Sequence, residues 1–253
     1  MMPEIKKNQR IALYTVELTT EQPFHIGAVR DPMSDVHNPF AVLGGQVVVQ
    51  GPSLKGALRA QLEEYLILNY GNNPAMKPCI PTPNLSRDER ILVNQGKYRG
   101  VCCAKGKGPY SLCPTCYLLG TMGLVGFVQV PYLYLVSEDE IEEIYCNRRD
   151  RALNTVAEGK NFTIQAVPNG AVFRGTLEVL LHDEIRGWTL GQPRKLNSYK
   201  DEWLEGPLRW KQEDFIKEFI LDRLTSITKM GGMVSKGFGN VRITVSPAGE
   251  KRI

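Results

Sequence analysis

The chain has 253 residues, 42% hydrophobic and 23% charged, which fits one large domain or one with elaborate insertions and excludes disorder over most of its length. Its formal net charge of +4 and pI of about 8.7 are compatible with a polyanionic partner without requiring one. No apolar run reaches the roughly 18 residues of a membrane-spanning helix, and Met1–Arg10 is polar where a signal peptide needs an apolar core. A cytoplasmic protein with no membrane partner is therefore expected, and six cysteines in a reducing compartment point to metal ligation or buried thiols rather than disulfides.

In chain order, Ile11–Leu18 alternates with Ala12, Tyr14, Val16 and Leu18 on one face and reads as a first strand, ending in Phe24–His25–Ile26–Gly27. Residues 28–46 have no sustained period and are broken by Pro32, Pro39, Gly44 and Gly45, so a long, functional loop is predicted, followed by a short strand at Val47–Val49. Leu54, Leu58, Leu62, Tyr65 and Leu66 recur at helical spacing behind Ser53, the expected N-cap, and predict a helix to about Leu68. Residues from about 69 to 120 are rich in Pro, Gly, Asn and Cys without a long periodic stretch, the mark of an insertion held by something other than an apolar core. Gly126–Val136 is strand-like and Glu138–Ile144 reads as a short acidic helix or turn. Phe162, Ile164 and Ala166, then Pro168–Asn169–Gly170, then Phe173 to Leu181 predict a β-hairpin with one buried face. A second helix from Asp214 to about Ile227 and a closing strand from Phe238 to Val245 complete the pattern. Strand, helix, strand, hairpin, helix and strand approximate the split βαβ plan, an α+β, ferredoxin-like fold with helices on one face of an antiparallel sheet and the other face free to meet RNA.

Cys113–Pro114–Thr115–Cys116 is a C-x2-C knuckle, the spacing that brings two thiolates to one tetrahedral Zn²⁺ from a tight turn. Cys79 and either Cys102 or Cys103 complete a four-ligand set in the same insertion. Such a closed site is structural, since it has no open coordination position, and it would supply the folding energy that the insertion lacks in apolar residues. The alternatives are four unrelated buried thiols or a redox pair.

Gly51–Pro52–Ser53–Leu54–Lys55–Gly56–Ala57–Leu58–Arg59 sets Lys55 and Arg59 one turn apart near a helix start, a spacing suited to successive phosphates and equally to a solvated face. Gly231, Gly232, Gly237 and Gly239 interleave with Ser235 and Lys236, so that backbone N–H groups can approach a phosphate closely. These two motifs, with Phe24–Gly27, the knuckle running into Leu119–Gly120 and the Asp150–Phe173 stretch, resemble the RAMP superfamily of CRISPR-associated proteins, specifically the repeated backbone subunit of type III effector complexes.

The resemblance implies a single RRM-like domain over residues 1–253, with a zinc-stabilised insertion at about 69–120 and a β-thumb at about 147–160. It further implies a protein that polymerises, with further copies of itself and other effector-complex subunits, along a guide CRISPR RNA paired to target RNA. Lys55, Arg59, Ser235 and Lys236 would hold the guide backbone, and Arg148, Arg149 and Arg151 would serve a thumb that wedges into the guide–target duplex.

In catalytic relatives an aspartate in the loop after the first strand cleaves target RNA with Mg²⁺, which a carboxylate can coordinate. Asp35 is the nearer of Asp31 and Asp35 to Asn38–Pro39–Phe40, while a strict alignment of Asn38–Pro39 puts His37 in that place. A purely architectural RNA-binding subunit and a guide-processing endoribonuclease with His25 as general base are the alternative readings.

Overall fold

The alternation expected of the first strand is realised in the computed structural model, which describes residues 8–29, 33, 36–82, 84–100, 103, 110–149, 156–196, 199–205 and 210–252. Strand β1 (Gln9–Thr20) buries Ala12, Val16, Leu18 and Thr20 on one side. It is followed by β2 (Val42–Leu43), β3 (Gln46–Val49), α1 (Gly51–Tyr70), α2 (Arg87–Asn94), β4 (Tyr110–Ser111) and α3 (Pro114–Leu119). Then come β5 (Val128–Gln129), β6 (Leu133–Leu135), β7 (Glu142–Arg149), β8 (Val156–Ala166), β9 (Val172–Asp183), β10 (Trp188–Thr189) and β11 (Tyr199–Lys200). Helix α4 (Gln212–Ile216) continues through a π-turn (Lys217–Leu221) into α5 (Asp222–Thr225), and β12 (Val241–Arg252) ends the described chain.

The main sheet runs in the order β12–β1–β9–β6–β3–β2, with β5 and β10 also on β9, and every pair in it is antiparallel. Strand β9 turns Phe173, Leu177, Val179 and Leu181 inward. Its Gly175 is required by packing, because a Cβ there would collide with the Tyr132 carbonyl and the Leu133 side chain of the crossing β6 segment. Leu54, Leu58, Leu62 and Leu66 form the fully buried stripe of α1 and join Phe215, Phe219, Ile220 and Leu224 in the same core as the sheet. The result is a mixed α+β fold built on an antiparallel sheet, as the sequence predicts.

Several local expectations are corrected. The segment 162–166 does not fold back on 172–181: β8 pairs with β7 in a separate two-stranded sheet, while β9 pairs with β1 at the centre of the main one. Gly170 and Ala171 instead exchange backbone hydrogen bonds with Thr20, so the Pro168–Gly170 turn carries the chain from one sheet to the other. The acidic stretch before Ile144 is neither helix nor turn throughout, since Glu142 and Glu143 already belong to β7. Gly126–Val136 is two short strands, interrupted where Pro131 cannot donate to a ladder. Helix α1 starts at Gly51, with Gln50 as its N-cap residue and Pro52 in the first turn, so Ser53 lies inside the helix. The insertion is also less devoid of core than its composition suggests, because Met76 and Tyr117–Leu119 enter the main core.

Candidate nucleic-acid interface and metal centre

The knuckle is shaped by its own residues. Pro114 occupies the first helical turn of α3, where a missing N–H costs nothing, and Cys113 caps the helix by accepting from the Cys116 N–H at 3.4 Å. Gly120, at φ +81°, closes α3 with an N–H to the Cys116 carbonyl, in a conformation that favours glycine. Cys79 is delivered by an extended bridge to Arg99, whose guanidinium donates to the carbonyls of Ser111 and Ala75 and so staples three parts of the insertion. Cys103 accepts from the Cys113 N–H at 3.3 Å.

All four sulfur atoms, of Cys79, Cys103, Cys113 and Cys116, lie within 4.8 Å of one another and are buried. The Cys79 sulfur is 3.4 Å from that of Cys116 and 3.8 Å from that of Cys113. Tetrahedral thiolates about 2.3 Å from a zinc ion would stand about 3.8 Å apart, so this set fits a four-sulfur metal centre. Burial works against a charge on Cys113, but the thiols of Cys103, Cys116 and Cys79 hydrogen-bond to it and hold it well below the ordinary thiol range, while Cys116, donating to Cys103 and Cys113, is pushed up. A divalent cation at the centre is what would let all four thiols ionise together. Cys103 is the member of the adjacent pair found in the cluster; Cys102 lies outside the described residues. Cys146 is in β7 and apart from it.

The second assembly forms where Phe24–Gly27, the start of α1 and the glycine-rich loop meet. Gly232 N–H donates to the His25 carbonyl at 2.9 Å, and Gly239 N–H donates to the Pro23 carbonyl at 3.0 Å. Gly231, at φ +84°, passes so close to His25 that a Cβ would strike its carbonyl oxygen. Ile26, Gly27, Ser53, Ala57 and Met230–Gly232 line a cleft of about 380 Å³ between these three segments. Met233 holds φ +60°, an unusual backbone state for a non-glycine residue and one that clusters at functional loops. It is followed by a short turn that presents Ser235 and Lys236 exposed, with the Lys236 ammonium 5.3 Å from the centroid of the Phe162 ring in β8.

The same surface reaches the base of the β7–β8 pair. Asn38 N–H donates to the Thr163 carbonyl at 3.0 Å and Gln165 N–H returns to the Asn38 carbonyl at 2.9 Å, so residues 36–40 run beside β8. His37 lies here, its Nδ1 accepting from the Thr163 N–H at 3.4 Å. Asp31 and Asp35 lie outside the described residues, as does Arg151; Arg148 and Arg149 end β7. His25 is buried, with Nδ1 2.6 Å from the Gln165 carbonyl, which makes that nitrogen the donor.

A model of the RAMP superfamily matches residues 17–242. The chain belongs to this superfamily. No curated protein sequence matches it. Among solved structures it is similar to a chain in the cryo-EM structure of the type III-B Cmr-beta bound to cognate target RNA, at 12% identity and a TM-score of 0.51. The similarity covers 94% of this chain and 61% of that one, and what it shows is a shared fold. No described helix is long and apolar enough to cross a membrane.

Within this RAMP protein the two cations of the helix motif separate. Lys55 is exposed, on the rim of a larger cleft of about 740 Å³ that also borders Gly120–Val130; partial burial and repulsion from Arg59 lower its pKa. Arg59 is turned the other way, into the insertion, with Nη2 3.4 Å from the Cys116 sulfur and Nε 3.1 Å from Glu63 Oε1. The Arg59–Glu63 pair is within ion-pair distance but not aligned as a hydrogen bond. Burial raises the Glu63 carboxyl to about 7, against the opposing pull of Arg59. Glu63 and Arg99 are the residues that sequence reasoning passed over; the only trace of Glu63 is its i,i+4 spacing from Arg59.

Proposed function

We propose that this chain is a guide-RNA-binding backbone subunit of a type III-like RNA-guided effector complex in antiviral defence, polymerising along the guide. The observation that carries the reading is the convergence of three segments far apart in sequence, Phe24–Gly27, the start of α1 and Gly231–Gly239, on one cleft. Beside that cleft the glycine-rich loop exposes Ser235 and Lys236, and α1 exposes Lys55 at the rim of the larger cleft. Phosphates of a bound strand are what such a surface suits, and contacts of this kind position RNA without reading its sequence. The RAMP-superfamily match and the fold shared with a chain of Cmr-beta, which is bound to cognate target RNA, support RNA as the ligand.

In this reading the thumb is the segment of about 147–160 that joins β7 to β8, and its Arg148, Arg149 and Arg151 serve the guide–target duplex. The cysteine centre holds one structural zinc through Cys79, Cys103, Cys113 and Cys116, and the metal's contribution is folding energy for the insertion. Target cleavage, where the subunit performs it, falls to Asp35 with Mg²⁺, in the loop that precedes Asn38.

Identifying the nucleic acid that copurifies with the protein, and incubating the assembled complex with matched target RNA and Mg²⁺, tests this function. A guide CRISPR RNA with regularly spaced target cuts that vanish in Asp35→Ala is the expected result. Copurified guide RNA with cleavage that survives Asp35→Ala would make the subunit architectural, loss of cleavage in His37→Ala alone would move the catalytic position, and no RNA at all would overturn the reading.

A further inference from the structure

We infer that Arg59 is the charge-balancing partner of the cysteine centre and the tie that fastens α1 to the insertion, rather than a phosphate contact. This rests on the reading that the four cysteines hold a metal. Four thiolates around a divalent cation carry a formal charge of −2, and inside a protein such a charge must be met by donors or cations close by. Among the described residues the donors to sulfur include the backbone N–H groups of Cys113 and Cys116, at 3.3 Å from the Cys103 sulfur and 3.4 Å from the Cys113 sulfur. The described cation within hydrogen-bond distance of a sulfur is Arg59, 3.4 Å from that of Cys116.

Three further observations argue that this contact is Arg59's role. Its side chain is only 16% exposed, too enclosed to reach a strand lying on the surface where Lys55 stands. Glu63, on the next turn, flanks the guanidinium from the other side and accepts from the Tyr98 hydroxyl at 3.2 Å. Arg59 thus meets the insertion twice, directly at Cys116 and through Glu63 at Tyr98. A guanidinium suits this position because its several N–H groups can serve a sulfur and a carboxylate at once, which the single ammonium of lysine does less well. One carboxylate, poorly aligned, is a thin counter-charge for a buried guanidinium, and the thiolates supply the remainder.

The test compares full-length wild type with Arg59→Gln, following transfer of bound zinc to a chromophoric chelator and, separately, guide-RNA binding as a function of salt. The expected result is zinc release about 10–100-fold faster in Arg59→Gln, the usual loss when an outer partner of a metal ligand is removed, with the salt dependence of RNA binding unchanged. If Gln prevents folding, Arg59→Lys, which keeps the charge but loses the fork, should fold and release zinc faster than wild type. Unchanged release in a variant whose wild type holds zinc overturns the inference, and a salt slope smaller by about 0.7, one phosphate's worth on a single strand, would make Arg59 an RNA contact. Wild type that purifies without zinc would instead remove the metal reading on which the inference stands.

Discussion

The sheet with its helices and the insertion that follows α1 meet at one helix yet are held by different chemistry. On the sheet side, α1 contributes four fully buried leucines to the core that also holds Val16, Leu18, Phe173 and Phe219, and removal from water drives the packing. On the insertion side, the apolar cluster around the cysteines contains Leu112 as its one buried aliphatic side chain among the described residues, and α2 buries none of its residues. Each region is therefore vulnerable to a different loss. The sheet should respond to lost volume, and the insertion to lost sulfur.

The largest effect is expected from replacing Cys113 and Cys116 together by Ala. Structural zinc contributes apparent binding energies of about 10–16 kcal/mol in small domains, so elemental analysis should fall from one zinc per chain to none and limited proteolysis should open the insertion. Intact folding of that double variant would mean that Met76 and Tyr117–Leu119 alone hold the segment. Leu58→Ala sharpens the contrast from the other side. Truncating a fully buried leucine should cost about 2–5 kcal/mol, read as a lower denaturant midpoint, while zinc content stays at one per chain. A smaller, local effect is expected of Gly231→Ala, where φ is +84° and a Cβ would strike His25. About 1–3 kcal/mol of backbone strain should appear in the same denaturation measurement, with zinc retained.

The periodic parts of this architecture were legible in the sequence because burial leaves a period. The stripe Leu54, Leu58, Leu62 and Leu66 marks α1, and the alternation from Phe173 to Leu181 marks β9. Strand β7 was hidden because exposed Glu142, Glu143 and Tyr145 give it no buried face to betray it. The partner of β8 was misread because Pro168–Asn169–Gly170 has hairpin chemistry, whereas β8 pairs back with the preceding β7 and it is β9 that finds a partner distant in sequence, β1. At the cysteine centre, the C-x2-C spacing carried most of the signal. The orientation of Arg59 left none, since spacing from Lys55 tells which residues are neighbours on a helix but not what packs against each of them.

The functional reading requires that RNA be held, through its phosphates, on the surface that carries the start of α1 and the glycine-rich loop. The most direct test is the salt dependence of guide-RNA binding by Lys55→Ala and Lys236→Ala, each measured on unrelated guide sequences. Each variant should weaken binding about equally for every sequence and reduce the slope of log K against log salt by about 0.7 for each lost phosphate contact. An unchanged slope in both variants, or a loss confined to particular sequences, would contradict it.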